Sequence, residues 1–457
     1  MQRKTIFCSV SAIGLILALL CLVQPKSYSA DVLKAIAGPA DAQVFASQLR
    51  AGGPDALDEL FKLREQLQTA AAQEKNAEQR TAIAQRTARL DELIDQVGMQ
   101  RYCSRSRLYW YTDLNEAKNA ARTSGKPIVS LRMLGNLNED FSCANSRFFR
   151  TTLYANEDVS KLLRDNFILH WQSVRPVPKV TIDFGDGRKL ERTLTGNSIH
   201  YILTADGDVI DALPGLYGPK AFLKQVNESL SLAERIATLP AAERRQSLAS
   251  SHQQRLAELE KNWNQDVLRA NAAGLTTAAP PQPPEDATKA SGPPPANVAA
   301  VVARPKAMVE APLVRAALPL VADPMTLTDD KLWEAIAALH SDDAQLDRAS
   351  RDLIRSQNPT AAQAGAIAIT KRVVEDPLVR MVRSLESSIA LDTVKNEYRL
   401  HREIHRWLSE EAAHFEIDSL NERVYAELFL TPSSDPWLGL APADVYTALP
   451  NSGVTKN

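Results

Sequence analysis

A stretch of proline divides this chain of 457 residues. Between 272 and 305 stand Pro280, Pro281, Pro283, Pro284, Pro293, Pro294 and Pro295, set among Ala, Thr and Ser. Each proline fixes φ near about −65° and carries no amide hydrogen, so such a run joins neither a helix interior nor a central strand. It also has too little apolar bulk to offset the cost of ordering it. The run therefore reads as an extended linker, and a core has to be built from sequence on either side of it. With 44% apolar and 24% charged residues the flanking sequence can supply one. The formal net charge of −2, with no basic stretch, argues against binding nucleic acid through bulk electrostatics.

The start of the chain has a different character. Arg3 and Lys4 precede an apolar run at 6–23, which Gln24, Pro25 and Lys26 end. Ser27, Ser29 and Ala30 follow. A positive start, an apolar middle and small residues at the end predict a secretory signal peptide over 1–30, and hence a periplasmic or secreted protein. The alternative is an uncleaved anchor, since the run is near the length that spans a bilayer. Only then would a membrane be a partner. A lipoprotein signal fits less well, because Leu20 rather than a small residue precedes Cys21. With Cys8 and Cys21 in the leader, Cys103 and Cys143 remain, in a compartment where a disulfide persists. They allow one bridge or a working thiol.

Between leader and linker the hydrophobic pattern changes period. In 31–106, Phe45, Leu49, Leu57, Leu60, Leu63, Leu67, Leu90, Leu93, Ile94 and Val97 recur at three and four residues. This predicts a helical hairpin or short coiled coil. In 107–235 helical and strand patterns alternate. Helices are expected at 113–124, 158–167 and 219–232. Strands are expected at 127–134, 168–171, 179–183, 189–193, 198–204 and 209–213. The glycines at 185, 187 and 207 mark hairpin turns. This order predicts a mixed α/β sheet flanked by helices. A helical extension follows over 236–271, and a C-terminal all-α region over 306–457. In that last region KAMVEAPLVR at 306–315 matches KRVVEDPLVR at 371–380, with Trp333 and His340 falling opposite Tyr398 and His405 at the same offset. The match suggests two related helical units. Residues 430–450, rich in Pro, Ser and Gly, are expected to wrap over the surface.

YWYTDLNEA at 109–117 and SGKPIV at 124–129 resemble the opening of periplasmic thioredoxin-like domains. In that family a helix ends in Gly-Lys-Pro, the central strand follows, and the active cysteine comes just after the strand. The resemblance covers about 107–230 and implies a thioredoxin-like fold with Cys143 at the attacking position. Family chemistry uses two thiols spaced Cys-x-x-Cys, the first attacking a disulfide and the second resolving the mixed disulfide. This chain reads Cys143-Ala144-Asn145-Ser146, with Ser146 at the resolving position. A serine hydroxyl can hydrogen-bond a thiolate but cannot resolve a mixed disulfide. Arg147 would favour the thiolate, and Glu139 and Asp140 would oppose it. The family also carries a cis-proline before its fourth strand. Here Asn197 and Ser198 occupy that place, and a cis bond without proline costs about 2.5–4 kcal/mol. Ordinary dithiol turnover is not expected.

Cys143 keeps three readings: a monothiol forming lasting mixed disulfides, a bridge to Cys103, or a buried apolar side chain. Phe148 and Phe149 are expected to anchor the helix after it, with Arg147 and Arg150 facing solvent. His401 and His405 lie one helical turn apart, a spacing that can bind zinc. Arg402 stands where a zincin has Glu, and His414 lies too far along the chain to complete a set, so a helix-surface or core-edge pair is expected and no metal. His340 reads as a lone histidine after an apolar helix. The glycines of FGDGR at 184–188 lack the lysine of a phosphate loop and sit between strands. No cofactor is expected. The function expected is an exported protein-interaction module, non-catalytic or weakly redox-linked, whose partner is a protein that the sequence does not specify. The second reading is a monothiol enzyme of disulfide exchange or isomerisation.

Overall fold

The computed structural model describes residues 32, 42–194, 196–272, 330–359, 377–410 and 416–438. The leader over 1–30, the proline run from 273, residues 306–315 of the repeat, His414 and the end from 439 lie outside the described residues. Contacts divide the chain into two units, 1–109 and 110–457.

The first unit is helical. Helix α1 spans Ala42–Arg50, α2 Gly53–Gln73 and α3 Ala77–Gly98. The expected hairpin is formed by α2 and α3, which bury Leu57, Leu60, Phe61, Leu67, Leu90 and Ile94 between them and α1. Asn76 turns the corner: its side-chain oxygen accepts the amides of Glu78 and Gln79, two groups the first turn of α3 would otherwise leave unpaired. Arg64 and Asp91 clamp the pair at 2.5 Å. A short helix α4, Cys103–Ser106, closes the unit. It lies so close to α3 that a Cβ on Gly98 would fall 2.3 Å from the Cys103 sulfur.

The second unit is built on a five-stranded mixed sheet. Its strands are β1 Trp110–Tyr111, β2 Ile128–Leu134, β3 Ile168–Arg175, β6 Ser198–Leu203 and β7 Val209–Pro214, in the order β1-β3-β2-β6-β7. The first three run parallel, and β6 and β7 are antiparallel to their neighbours. Every residue of β2 and β6 is buried, which is why both read as nearly continuous apolar runs. Helix α5, Leu114–Ser124, has Asp113 as its N-cap and Gly125 at φ +73° as its stop. Helix α6 is Ala144–Phe148, α7 Glu157–Asn166 and α8 Pro219–Ala237. A separate exposed hairpin, β4 Lys179–Asp183 with β5 Lys189–Thr193, projects between β3 and β6, as the glycines at 185 and 187 predict.

Helix α9, Ala241–Ala272, leads to the proline run. Beyond it stand α10 Asp330–Leu339, α11 Arg348–Gln357, α12 Pro377–Lys395, α13 Arg402–Glu410 and α14 Ile417–Arg423. A π-helical turn, Asn396–His401, joins α12 to α13, and another, Val424–Leu428, follows α14. These helices pack on the sheet and on α9 as well as on one another. Trp333 of α10 meets Trp263 of α9 with ring centroids 5.0 Å apart. His401 reaches Asp211 of β7, and Asp418 of α14 reaches Arg132 of β2. The C-terminal helices and the sheet thus share one unit across the linker.

Candidate functional site

The sequence-selected cysteine sits where the chain leaves the central strand. Gly135, at φ +72°, turns the backbone out of β2, and the loop returns so that the Cys143 amide bonds the Leu134 carbonyl at 3.1 Å. Cys143 caps α6, its sulfur accepting the Ser146 amide at 3.4 Å. The Ser146 hydroxyl does not face the sulfur; it donates to the Cys143 carbonyl at 2.9 Å. The expected hydroxyl–thiolate bond is therefore replaced by a backbone one. Cys143 and Cys103 are both free thiols, each 0% exposed, so the bridge between them is not formed.

The arginines after Cys143 do not both face solvent, as the sequence had suggested. Phe149 is buried, as expected for an anchor, but Arg150 is only 3% exposed. Its guanidinium holds the loop before Cys143, donating to the carbonyls of Leu137, Glu139 and Asp140. Arg147 is part-buried and donates to Thr193 at 3.0 Å, tying α6 to β5. Burial lowers its pKa, against a smaller upward pull from Cys143.

Asn197 and Ser198 lie beside the same loop. Asn145 donates to the Ser198 hydroxyl at 2.9 Å. Asn197 engages the C-terminal segment instead of an open surface: its amide donates to Thr431 at 2.9 Å, and its carbonyl accepts the Tyr425 phenol at 3.3 Å. No cis peptide occurs among the described residues. Arg175, at the end of β3, fastens the same segment by donating to the carbonyls of Thr431, Pro432 and Asp435 at 2.7, 3.3 and 2.9 Å. Burial, with a smaller contribution from the neighbouring Cys143, pushes the Tyr425 phenol well above its ordinary range. Residues 416–438 thus form a cap over Asn197 and the end of β3.

A second constellation lies at the other edge of the sheet. Asp211 of β7, His252 of α9, and His401 and His405 are all buried. His401 Nε2 stands 3.0 Å from Asp211 Oδ1, and His405 Nδ1 stands 3.8 Å from it. His405 Nδ1 lies 2.9 Å from His252 Nδ1, while His252 Nε2 bonds the Ile210 carbonyl at 3.1 Å. The carboxylate also accepts the Ala212 amide and the Ser229 hydroxyl, each at 2.8 Å. Burial raises the Asp211 pKa, but the three histidines outweigh it and hold the group well below the usual carboxylate range. Burial pushes His252 and His405 down, His405 far down.

His340 is not the lone histidine of the sequence reading. Its Nε2 pairs with Asp266 at 2.7 Å and its Nδ1 faces Asp343 at 3.4 Å. Those bonds raise its pKa to about 9. A polar cavity of about 190 Å³ opens beside it, lined among others by Lys224, Arg269 and Glu397.

Cys143 and Ser146 lie beside Ser198 and its neighbour Asn197, linked through the Asn145 amide. The structure also joins His401 and His405 to two residues the sequence had not marked. Asp211 sits in a strand whose other residues are apolar, and that one buried carboxylate in an apolar run was the available signal. His252 lies in a long charged helix and carried none. In comparisons with protein-family models, with curated proteins and with solved structures, nothing matches this chain.

Proposed function

We propose that this chain is an exported thioredoxin-like protein that works as a protein-interaction module rather than as a dithiol oxidoreductase. Three features support the thioredoxin-like reading. The cysteine follows the middle strand of the sheet, it caps a helix, and the sheet ends in an antiparallel hairpin followed by α8. The observation that carries the non-catalytic reading is the cap. At Asn197, where the family docks its substrate, the backbone carbonyl already accepts the Tyr425 phenol and the side-chain amide already donates to Thr431 of the same chain. Cys143 beneath has no exposed surface and no second thiol to resolve a mixed disulfide. A thiol that cannot meet a substrate sulfur behaves as a small apolar side chain.

The test is site-resolved alkylation of the folded chain, read by peptide mass spectrometry, beside an insulin-type reductase assay. Cys143 is expected to label only after denaturation, and reductase activity to stay at background. Rapid native labelling together with activity abolished by Cys143→Ala would replace this reading with the monothiol enzyme.

A further inference from the structure

The structure assigns a buried metal site, of the kind that takes zinc, to Asp211, His401 and His405, with His252 packed against His405. The three ligands come from β7, the π-helical turn and α13, and His252 from α9. No ion is present in the structure, and the geometry alone carries the argument. Asp211, His401 and His405 each offer one ligand atom, all within 4.8 Å of one another. The nearest contacts between donor atoms are 3.0 Å from His401 to Asp211, 3.8 Å from His405 to Asp211 and 2.9 Å from His405 to His252. A tetrahedral ion with bonds of about 2.05 Å separates its ligand atoms by roughly 3.3 Å, and the two spacings to Asp211, 3.0 and 3.8 Å, lie on either side of that value.

The surrounding bonds fix the donors as ligands of a metal are fixed. His252 donates Nε2–H to the Ile210 carbonyl, which leaves the Nδ1 lone pair directed at His405. His252 thus orients the His405 ring, as groups beside a metal-bound histidine do. Asp211 is oriented by the Ala212 amide and the Ser229 hydroxyl. Nδ1 of His401 has no hydrogen-bond partner among the described residues, so that ring is held through Nε2, the atom that faces the carboxylate. His401 and His405 stand one helical turn apart with ring centroids 4.0 Å from each other.

A core built only for packing has no use for three imidazoles around one carboxylate, since each carries polar atoms that must be satisfied away from water. One divalent cation would satisfy the carboxylate, His401 and His405 at once. A buried set of two nitrogens and one oxygen suits zinc better than calcium or magnesium, which prefer oxygen. Binding would release to solvent the ring protons that now lie between the donors. The ion would tie α13 to the edge of the sheet, and so join the segments before and after the proline run.

The experiment uses the full mature chain with a tag that contains no histidine. The chain is unfolded with a chelator, refolded with or without zinc, and its metal counted by mass spectrometry. About one zinc per chain is expected after refolding with zinc. Cobalt should replace it and give the visible bands of a tetrahedral centre. Removing the metal should lower the thermal midpoint, and zinc should restore it. Asp211→Asn and His401→Gln should each weaken metal affinity by roughly tenfold or more. Should either variant fail to fold, the zinc count and cobalt spectrum of the unmodified chain still decide. A refolded chain that binds no stoichiometric zinc or cobalt, and whose midpoint ignores both zinc and chelator, overturns the assignment and leaves a network of shared protons.

Discussion

The side-chain amide of Asn197 donates to the hydroxyl of Thr431 at 2.9 Å, joining two positions 234 residues apart. Through that bond the segment 416–438 covers the residues that lead into β6. Arg175 supplies three bonds to backbone carbonyls, and Arg132, buried in β2, pairs with the exposed Asp418 at 3.0 Å.

Arg175→Ala should loosen the cap without touching the cysteine. Bonds from a charged donor contribute about 1.5–3 kcal/mol each when well placed, and this donor is part-exposed, so a total loss of about 2–3 kcal/mol in denaturant unfolding is expected. A local opening made easier by that amount should speed native alkylation of Cys143 by roughly tenfold or more. Lower stability with an unchanged alkylation rate would mean that another element protects the thiol.

Cutting the linker should not separate its two sides. With a specific protease site placed between 285 and 290, the cleaved chain should still elute as one species. Its halves share Trp263 with Trp333, Asp266 with Tyr398 at 2.6 Å, and Asp211 with His401. Separation of the fragments under native conditions would show that these contacts do not hold the unit together.

Stability should fall on the alkaline side through His340. Its ordinary pKa of 6.5 rises to about 9 in the folded chain. A raised folded value means a contribution fully present below pH 6.5 and lost as pH climbs towards 9. Facing His340 are Asp266 and Arg269 of α9, Lys224 of α8, Asp343 after α10, and Glu397 and Tyr398 before α13. Asp266 is shifted down, so its contribution is lost only under acid. The difference in thermal midpoint between the native chain and His340→Gln should therefore shrink between pH 6.5 and 9. A constant difference across that window would remove His340 from the account.

Local pattern was legible where one periodicity ruled. Asp113 and Gly125 mark the ends of α5, and the hairpin at 179–193 follows its alternation and its two glycines. Cys143, Asn197 and Ser198 could be grouped because the resemblance set all three beside one strand end. The cap could not be read this way. Tyr425 and Thr431 lie in a helix end and a turn whose local sequence gives no hint of a partner at 197. The histidine cluster shows the same limit. His401 and His405 announce themselves by spacing, whereas Asp211 and His252 join them only through the fold, across 190 and 153 positions. Arg150 misled because charge favours solvent only when no carbonyls stand ready inside, and the loop at 137–140 presents three, while Arg147 finds the Thr193 hydroxyl.

Restoring the second thiol should not restore the chemistry. Ser146 is fully buried in the first turn of α6, and its hydroxyl is committed to the Cys143 carbonyl. Ser146→Cys would rebuild the Cys-x-x-Cys spacing and lose that bond, at a cost of about 1 kcal/mol. The new pair would still lie under Tyr425 and Thr431, and the backbone at Asn197 would still lack the family's cis-proline. Insulin reduction by Ser146→Cys is therefore expected to stay near background. Adding Arg175→Ala should raise it, because that change opens access while leaving both thiols in place. The order of the three variants is the readout: the double variant above Ser146→Cys, and Ser146→Cys level with the native chain. Strong reduction by Ser146→Cys alone would show that a second thiol, and not access past Tyr425 and Thr431, is what this site needs.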